Sequence, residues 1–425
     1  GSPLLSFLLC SLCTPLQTGF FHVFGSNVIN KIIGFMSSMV LVRILSKTEY
    51  GAFTYAWNIY CIIALFNGMG VESGTLQLAS EHSGDKDYAR QISDYGTRVG
   101  LVFNVGLSLA TFGIGLFAPL TINGAKVLVC SMFAMPFFQF LYNMYSTYLR
   151  SQKMNKEYSQ MSVTNTAILF IASALFAFLF REMGLIIGHY TAYIVACLMG
   201  AIYYRIHLLN RDRHDLGEDK KILLKISLIS MMNNGLSQLM YLIDVFVIGI
   251  VAPEETILAS YKVATMIPTA LAFIPTSLIV YVYPYFAEHK DDGKWCLNRY
   301  KQILFGLGGA NALISAVLWL FAPLIVRILY GTQYLDSVPV FRVLALSYFF
   351  SGTFRTISGN LLVTQRKLRF NLFVAVISSA VNIVADYYFI QWWGSMGAAY
   401  ATVLVIMITS IMSTAYLIKT FRSKC

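Results

Sequence analysis

Twelve apolar stretches, each about the length of a bilayer crossing, follow one another along this 425-residue chain until it is used up. They run over 18–43, 50–80, 92–118, 126–150, 158–181, 184–205, 222–251, 256–287, 299–330, 337–364, 368–391 and 395–420. Crossing the hydrocarbon takes about 20 mostly apolar residues in a helix. Only short, basic loops separate the stretches. Charged residues make up 12% of the chain and hydrophobic ones 57%, whereas a soluble domain is about a quarter charged. The mean hydropathy of +0.64 points the same way. No loop is long enough to fold as a soluble domain. The expected class is an all-α integral membrane protein with twelve transmembrane helices.

The charges orient it. With the N-terminus inside, 21 of the 31 Lys and Arg fall in inner loops or helix ends. These include Arg150, Lys153, Lys156, Arg205, Arg211, Arg213, Lys220, Lys221, Lys225, Lys419, Arg422 and Lys424. Outer loops hold Arg43, Lys47, Lys126, Arg181 and Arg327. Such an excess on one side of short loops is the positive-inside signature. It predicts cytoplasmic termini and explains the formal charge of +11 without nucleic acid, since the excess sits at the headgroups.

Several functions have no support in the residues. There is no G-x-x-x-x-G-K-[ST] for ATP, hence no primary pump. Cys10 and Cys13 form one Cys-x-x-Cys with no second pair for zinc, and Cys61, Cys130, Cys197, Cys296 and Cys425 are scattered. No His or acidic cluster suggests a metal, and no cofactor is expected. His189, alone well within a span, reads as a hydrogen-bonded packing residue. The stretch 4–13 is too short to span and lacks a signal peptide's basic start; Gly1-Ser2-Pro3 reads as a cloning remnant.

The chain divides and repeats. The longest charged interruption separates an N-lobe of six helices, 18–206, from a C-lobe, 222–425, with 1–17 as a leading segment and 207–221 as an inner loop. At an offset of about 210 residues, LRSQKMNKEY (149–158) answers LVTQRKLRFN (362–371), and GLIIGHYTAY (184–193) answers GSMGAAYATV (394–403). GAFTYA (51–56) weakly answers ASYKVA (259–264). Six helices per lobe make the repeat parallel, about an axis along the membrane normal. Two bundles able to rock around a central cavity are a transporter architecture.

Nine charges remain within the spans. Each costs roughly 2.5–3.5 kcal/mol at the bilayer centre on insertion scales, so it must face water, the bundle interior or a partner. The cations are Lys31, Arg98, Lys262, Arg342 and Arg355; the acids are Glu72, Asp94, Asp244 and Asp386. Asn27 and Lys31, four apart, give the first span a polar stripe. Arg98 should pair with Asp94 one turn before it, and Lys262 could pair with Asp244 across consecutive helices. No acid shares a span with Arg342 and Arg355. Glu72 follows Gly68 and Gly70 and so sits near a helix break, while Asp386 would brace a neighbour. Pro268, Pro275 and Pro284 favour bends in the eighth span. Gly96 with Gly100, and Gly184 with Gly188, have the spacing for close helix approach. Tyr55, Trp57, Tyr60 and Tyr142 read as interfacial or packing aromatics.

The residues resemble the polysaccharide-exporter family, the Wzx-type lipid-linked oligosaccharide flippases of the multidrug/oligosaccharidyl-lipid/polysaccharide (MOP) superfamily. The stretches that carry the resemblance are LVRILSKTEYGAF (41–53), IDVFVIG (243–249), ASYKVA (259–264), GNLLVTQRKLRF (359–370), VNIVAD (381–386) and the Gly-x-x-Gly-Ala-Ala start at 394–399. They span nearly the whole chain. Asp386 departs from the neutral Asn expected in relatives. The resemblance implies transport of an undecaprenyl-pyrophosphate-linked oligosaccharide across the bacterial cytoplasmic membrane by alternating access, for O-antigen or capsule. It makes the glycan-lipid, membrane lipids and polysaccharide polymerase machinery the expected partners of a monomer, with H⁺ or Na⁺ as candidate coupling ions. A pyrophosphate carries two or more negative charges, which cations in a low-dielectric cavity attract. The rival reading is a cation-coupled multidrug exporter of the same fold, disfavoured because intramembrane cations outnumber acids. A scaffold sits poorly with duplicated lobes, and a glycosyl polymerase would be expected to carry a large outer loop.

Overall fold

The computed structural model describes residues 15–82, 85–209, 216–365 and 367–424. Cys10, Cys13, the stretch 4–13, Arg211 and Arg213 lie outside the described residues. Among those described, every regular element is helical. A segment in lipid must satisfy its own amides, and a helix does so internally. In chain order the helices are α1 Pro15–Ile44, α2 Lys47–Ala64, α3 Val71–Glu81, α4 Lys86–Phe117, α5 Ala125–Ser131, α6 Met135–Ser151, α7 Asn155–Phe180 and α8 Glu182–Leu198. Then come α9 Asp219–Val251, α10 Glu255–Leu271, α11 Phe273–Glu288, α12 Gly293–Leu320, α13 Ala322–Leu329, α14 Val338–Phe350, α15 Thr356–Thr364, α16 Leu368–Trp393 and α17 Ser395–Arg422.

Among the described residues, nine runs are long and apolar enough to cross a membrane. Two more crossings are bent pairs: α2 with Asn67–Glu81, by 41°, and α5 with α6, by 46°. With α9, 33 residues long, they make twelve. Several expected straight spans are therefore broken. Between α2 and α3, Gly68, Met69 and Gly70 all take positive φ, a conformation two glycines make accessible. Buried Asn104 of α4 holds that turn, accepting from the Gly68 amide at 2.8 Å and donating to Asn67 at 2.7 Å. The eighth span divides between α10 and α11, where Pro275 has no N–H to offer the carbonyl one turn back.

The chain packs as two compact units, one of residues up to Leu45 plus Ala56–Leu239, the other of Ser46–Tyr55 plus Met240–Cys425. In the first, α7 packs between α1 and α8, and α4 packs on α3, α5 and α6. Phe140, Met144, Leu149 and Ile92 are fully buried in its core. Gly100 admits the Phe140 ring, since a Cβ there would lie 2.1 Å from it, and Gly188 admits Ser173 at 2.2 Å. In the second unit α17 packs on α16 and α14, around a core containing Tyr300, Leu361 and Phe421. The first turn of α2 belongs here: Gly51 sits against the Glu255 carbonyl, and Lys47 pairs with Asp336.

The internal repeat is sharper in structure than in sequence. Asp85 caps α4 and Asp292 caps α12, 207 positions apart. The His82 ring packs on Tyr88 at 4.3 Å, and that of His289, again 207 on, packs on Trp295 at 4.2 Å. Buried Asn104 answers buried Asn311. In the closing hairpins the offset is 213: Arg181 has φ 53° and ψ −130°, Gly394 has φ 57° and ψ −133°. A Cβ on Gly184 would lie 2.2 Å from the Phe176 carbonyl oxygen, and one on Gly397 would lie 2.0 Å from that of Phe389.

Candidate functional site

The polar centre of the second unit forms where α9, α10, α16 and α17 meet. Asp244 on α9 accepts from the Tyr261 hydroxyl of α10 at 2.7 Å. It also accepts from Thr402 of α17 at 3.2 Å and from the Asn382 amide of α16 at 3.0 Å. Asn382 donates as well to Asp386, one turn along α16. One amide thus holds two carboxyl groups together. Asp386 is fully buried, and its Oδ1 has no hydrogen-bond partner. Thr402 has a single hydrogen and two acceptors in range, Asp244 and the Ala398 carbonyl at 2.9 Å.

Two carboxylates in such a place repel: at 4 Å and an effective dielectric of 20 the penalty is about 4 kcal/mol. The arrangement accordingly suits a proton or a small cation between them. The oxygens grouped there come from Asp244 and Asp386 with the Tyr261 and Thr402 hydroxyls, a hard set in which Asn382 supplies N–H donors to both acids. The unpartnered Asp386 oxygen fits that use, because a buried carboxylate oxygen otherwise needs a donor.

Asp244 was expected to pair with Lys262, and the residue that bonds it from α10 in the structure is the neighbouring Tyr261. Tyr261 takes the place next to Asp244, and Lys262, one residue on, is exposed. A neutral hydroxyl can be buried where a lysine must reach water. Asp386 does brace its neighbour, through Asn382, though as one half of an acidic pair. Sequence reasoning missed Tyr261, Asn382 and Thr402. Asn382 and Asp386 are spaced i, i+4 within an apolar helix, and that spacing was the available signal.

The other charges are placed singly. Arg98 bonds Asp94 at 2.9 Å as expected. Glu72 lies just past the Gly68–Gly70 turn and accepts from Asn143 at 3.0 Å. Arg342 lies on the Trp319 ring, 4.8 Å from its centroid, and donates to the Trp319 carbonyl. Arg355 ends a π-helical turn, Ser351–Arg355. Asn27 and Lys31 are exposed, whereas Ser26 and Asn30 of the adjoining face bond Ser159 and Ser162 of α7. His189 bonds the Leu185 carbonyl of its own helix and packs on Trp57 at 4.1 Å. Tyr55 packs on Gly249, so its ring is structural. Among the described residues no group of three or more His, Cys, Asp or Glu could hold a metal.

The fold of this helical, internally repeated chain is shared with several solved structures. A multidrug resistance MATE family transporter of the MOP superfamily, inward-facing, matches with a TM-score of 0.74 at 16% identity, covering 93% of this chain and 95% of that one. The lipid II flippase MurJ, in an inward closed conformation, gives 0.70 at 17% identity over 94% of this chain and 88% of its own. A MOP superfamily transporter from Pyrococcus furiosus Vc1 gives 0.63 at 15%, covering 96% of each. The chain has the MOP-type, twelve-helix fold of a multi-pass membrane protein. Its sequence matches the family described as polysaccharide biosynthesis protein over residues 40–339, and it belongs to that family. No functionally curated protein matches it in sequence.

Proposed function

We propose that this protein flips an undecaprenyl-pyrophosphate-linked oligosaccharide from the inner to the outer leaflet of a bacterial cytoplasmic membrane, as a step in O-antigen or capsule assembly. The observation that carries the reading is membership of a polysaccharide biosynthesis family on a transporter fold. Both termini lie in the cytoplasm, following the sidedness of the Lys and Arg. Lys31 and Arg355 are the cations assigned to the pyrophosphate in successive states, since no acid bonds either among the described residues. Arg98, Lys262 and Arg342 supply positive field at shorter or longer range, and Asn27 and Glu72 add polar surface. Asp244 and Asp386 form the coupling site. A proton or Na⁺ there relieves carboxylate repulsion and draws α9, α10, α16 and α17 together, linking ion occupancy to helix packing.

The test is complementation of a flippase-deficient strain, read as surface polysaccharide with protein level monitored. Lys31→Ala and Arg355→Ala should abolish export, while Lys31→Arg and Arg355→Lys keep part of it, because charge matters more than fork geometry here. Asp386→Asn should cut export at least about tenfold, a barrier increase of about 1.4 kcal/mol. Normal export by the Ala variants would remove both cations from the site. The drug-exporter alternative draws on the acidic pair itself. It predicts ethidium binding by the purified protein that is lost in Asp244→Asn or Asp386→Asn; the flippase reading predicts no ethidium binding and salt-sensitive binding of lipid pyrophosphates.

A further inference from the structure

A second polar site lies wholly in the first unit, at the end where α4 begins and α8 finishes. A cavity of about 400 Å³ is lined by Lys86, Arg90, Arg205 and His207, with Tyr148 and Gln152 between them. No Asp or Glu lines it. An ion pair near it, Arg90 with Asp87 at 3.7 Å, joins two exposed side chains and so neutralises little. Gln152 lines the cavity, and its Nε2, itself buried, has no hydrogen-bond acceptor. Arg205 is held at φ +53°, a left-handed conformation unusual for a side-chain-bearing residue. It comes two residues after the π-helical turn Met199–Tyr203 that follows α8.

Arg205 also lines a second depression, a groove of about 850 Å³ between α7 and the end of α8. Val195, Leu198, Met199 and Ile202 form its apolar wall, with Gln160 and Thr164 of α7 opposite and Tyr203 beside Arg205. Leu198 and Ile202 are 51% and 69% exposed, on a face of the unit that no protein covers. A cationic cup opening beside an apolar groove, with one arginine shared by both, has the shape and polarity of one molecule: an anionic headgroup with a hydrocarbon chain.

We infer that this is a binding site for an anionic membrane phospholipid, whose phosphate enters the cup at Lys86, Arg90, Arg205 and Gln152 while an acyl chain lies along Val195, Leu198 and Ile202. Charge complementarity selects the headgroup, and the groove selects a lipid over a free phosphate. The site anchors the end of the α7–α8 hairpin to the leaflet that supplies the lipid. Its occupancy stiffens the junction between the π-helical turn and the strained Arg205.

The test uses the purified full chain in a neutral detergent, titrated with phosphatidylglycerol or phosphatidylcholine. Bound lipid is counted by native mass spectrometry and stability is read as Tm. Phosphatidylglycerol should remain bound and raise Tm, and phosphatidylcholine should do neither. Arg205→Gly removes the charge and relieves the backbone strain, so folding is favoured; it should weaken phosphatidylglycerol at least about fivefold, and with Arg90→Gln about tenfold or more. Val195→Trp fills the groove with every charge retained and should weaken the lipid comparably. Each variant is compared with wild type at equal lipid-free Tm. Undiminished phosphatidylglycerol binding in Arg205→Gly/Arg90→Gln, or in Val195→Trp, would overturn the proposal. Full displacement of the lipid by millimolar inorganic phosphate would overturn it in favour of a free anion.

Discussion

At the scale of single residues, the charges were legible and their partners were only partly so. Asp94 and Arg98 lie one turn apart on one helix, so their contact followed from helical spacing alone. Asp244 needed a partner from another helix; the sequence reading took Lys262 and overlooked Tyr261 beside it, which is the residue that bonds Asp244. Sequence cannot say which of two neighbours faces inward, because one residue turns the helix by about 100°. Burial decides it in favour of the hydroxyl. The neutral amides were the least visible. Asn311 accepts from the Tyr348 hydroxyl at 2.9 Å and donates to Thr353 at 3.2 Å, all within the buried interior of the second unit. Asn311→Ala should therefore destabilise the protein by about 1–3 kcal/mol, the penalty for orphaned buried polar groups. Thermal unfolding in detergent would show it as a lowered Tm; an unchanged Tm would mean that water replaces the amide.

At the scale of elements, helix positions came through well, because length and hydropathy suffice for a crossing. The breaks came through unevenly. Pro268 and Pro275 announced the division of α10 from α11, and Gly68 with Gly70 marked the end of the α2 run. The bend between α5 and α6 had no such marker beyond Pro136 at the second helix's start. The two closing hairpins offer a direct comparison. Arg181 and Gly394 share one turn geometry, though that region of backbone space is nearly exclusive to glycine. Arg181→Gly should stabilise the protein by about 1 kcal/mol through relief of that backbone strain, less whatever the Arg181 side chain contributes through contacts such as its bond to the Ile44 carbonyl at 3.5 Å. Gly397→Ala should do the opposite, by about 1–3 kcal/mol, because its Cβ would enter the Phe389 carbonyl. Paired Tm measurements with opposite signs are the expected result.

At the scale of the whole molecule, the loops meet as the charge pattern groups them. Lys424, near the C-terminus, donates to the Lys290 carbonyl at 2.7 Å and to Gln365 at 2.8 Å, which brings three segments to one end of the second unit. In the first unit Tyr88 donates to Asp219 at 2.9 Å, tying the start of α4 to the start of α9. Cysteine labelling in intact cells should leave residues at 219–221 and at 423 protected, while 253 and 332 react from outside. External reactivity at 220 would reverse the orientation. The repeat was legible as a soft echo at about 210 residues; the structure resolves it into offsets of 207 and 213 only because backbone angles and ring contacts outlast side-chain identity. That alignment has a historical consequence. At an offset of 213, Asn382, Asp386 and Thr402 answer Leu169, Ser173 and His189. An ancestor made of two identical halves would have carried this acidic pocket twice or not at all. Here the two halves kept one architecture and parted in chemistry, so the acidic pocket was gained in one half, or lost from the other, after the duplication.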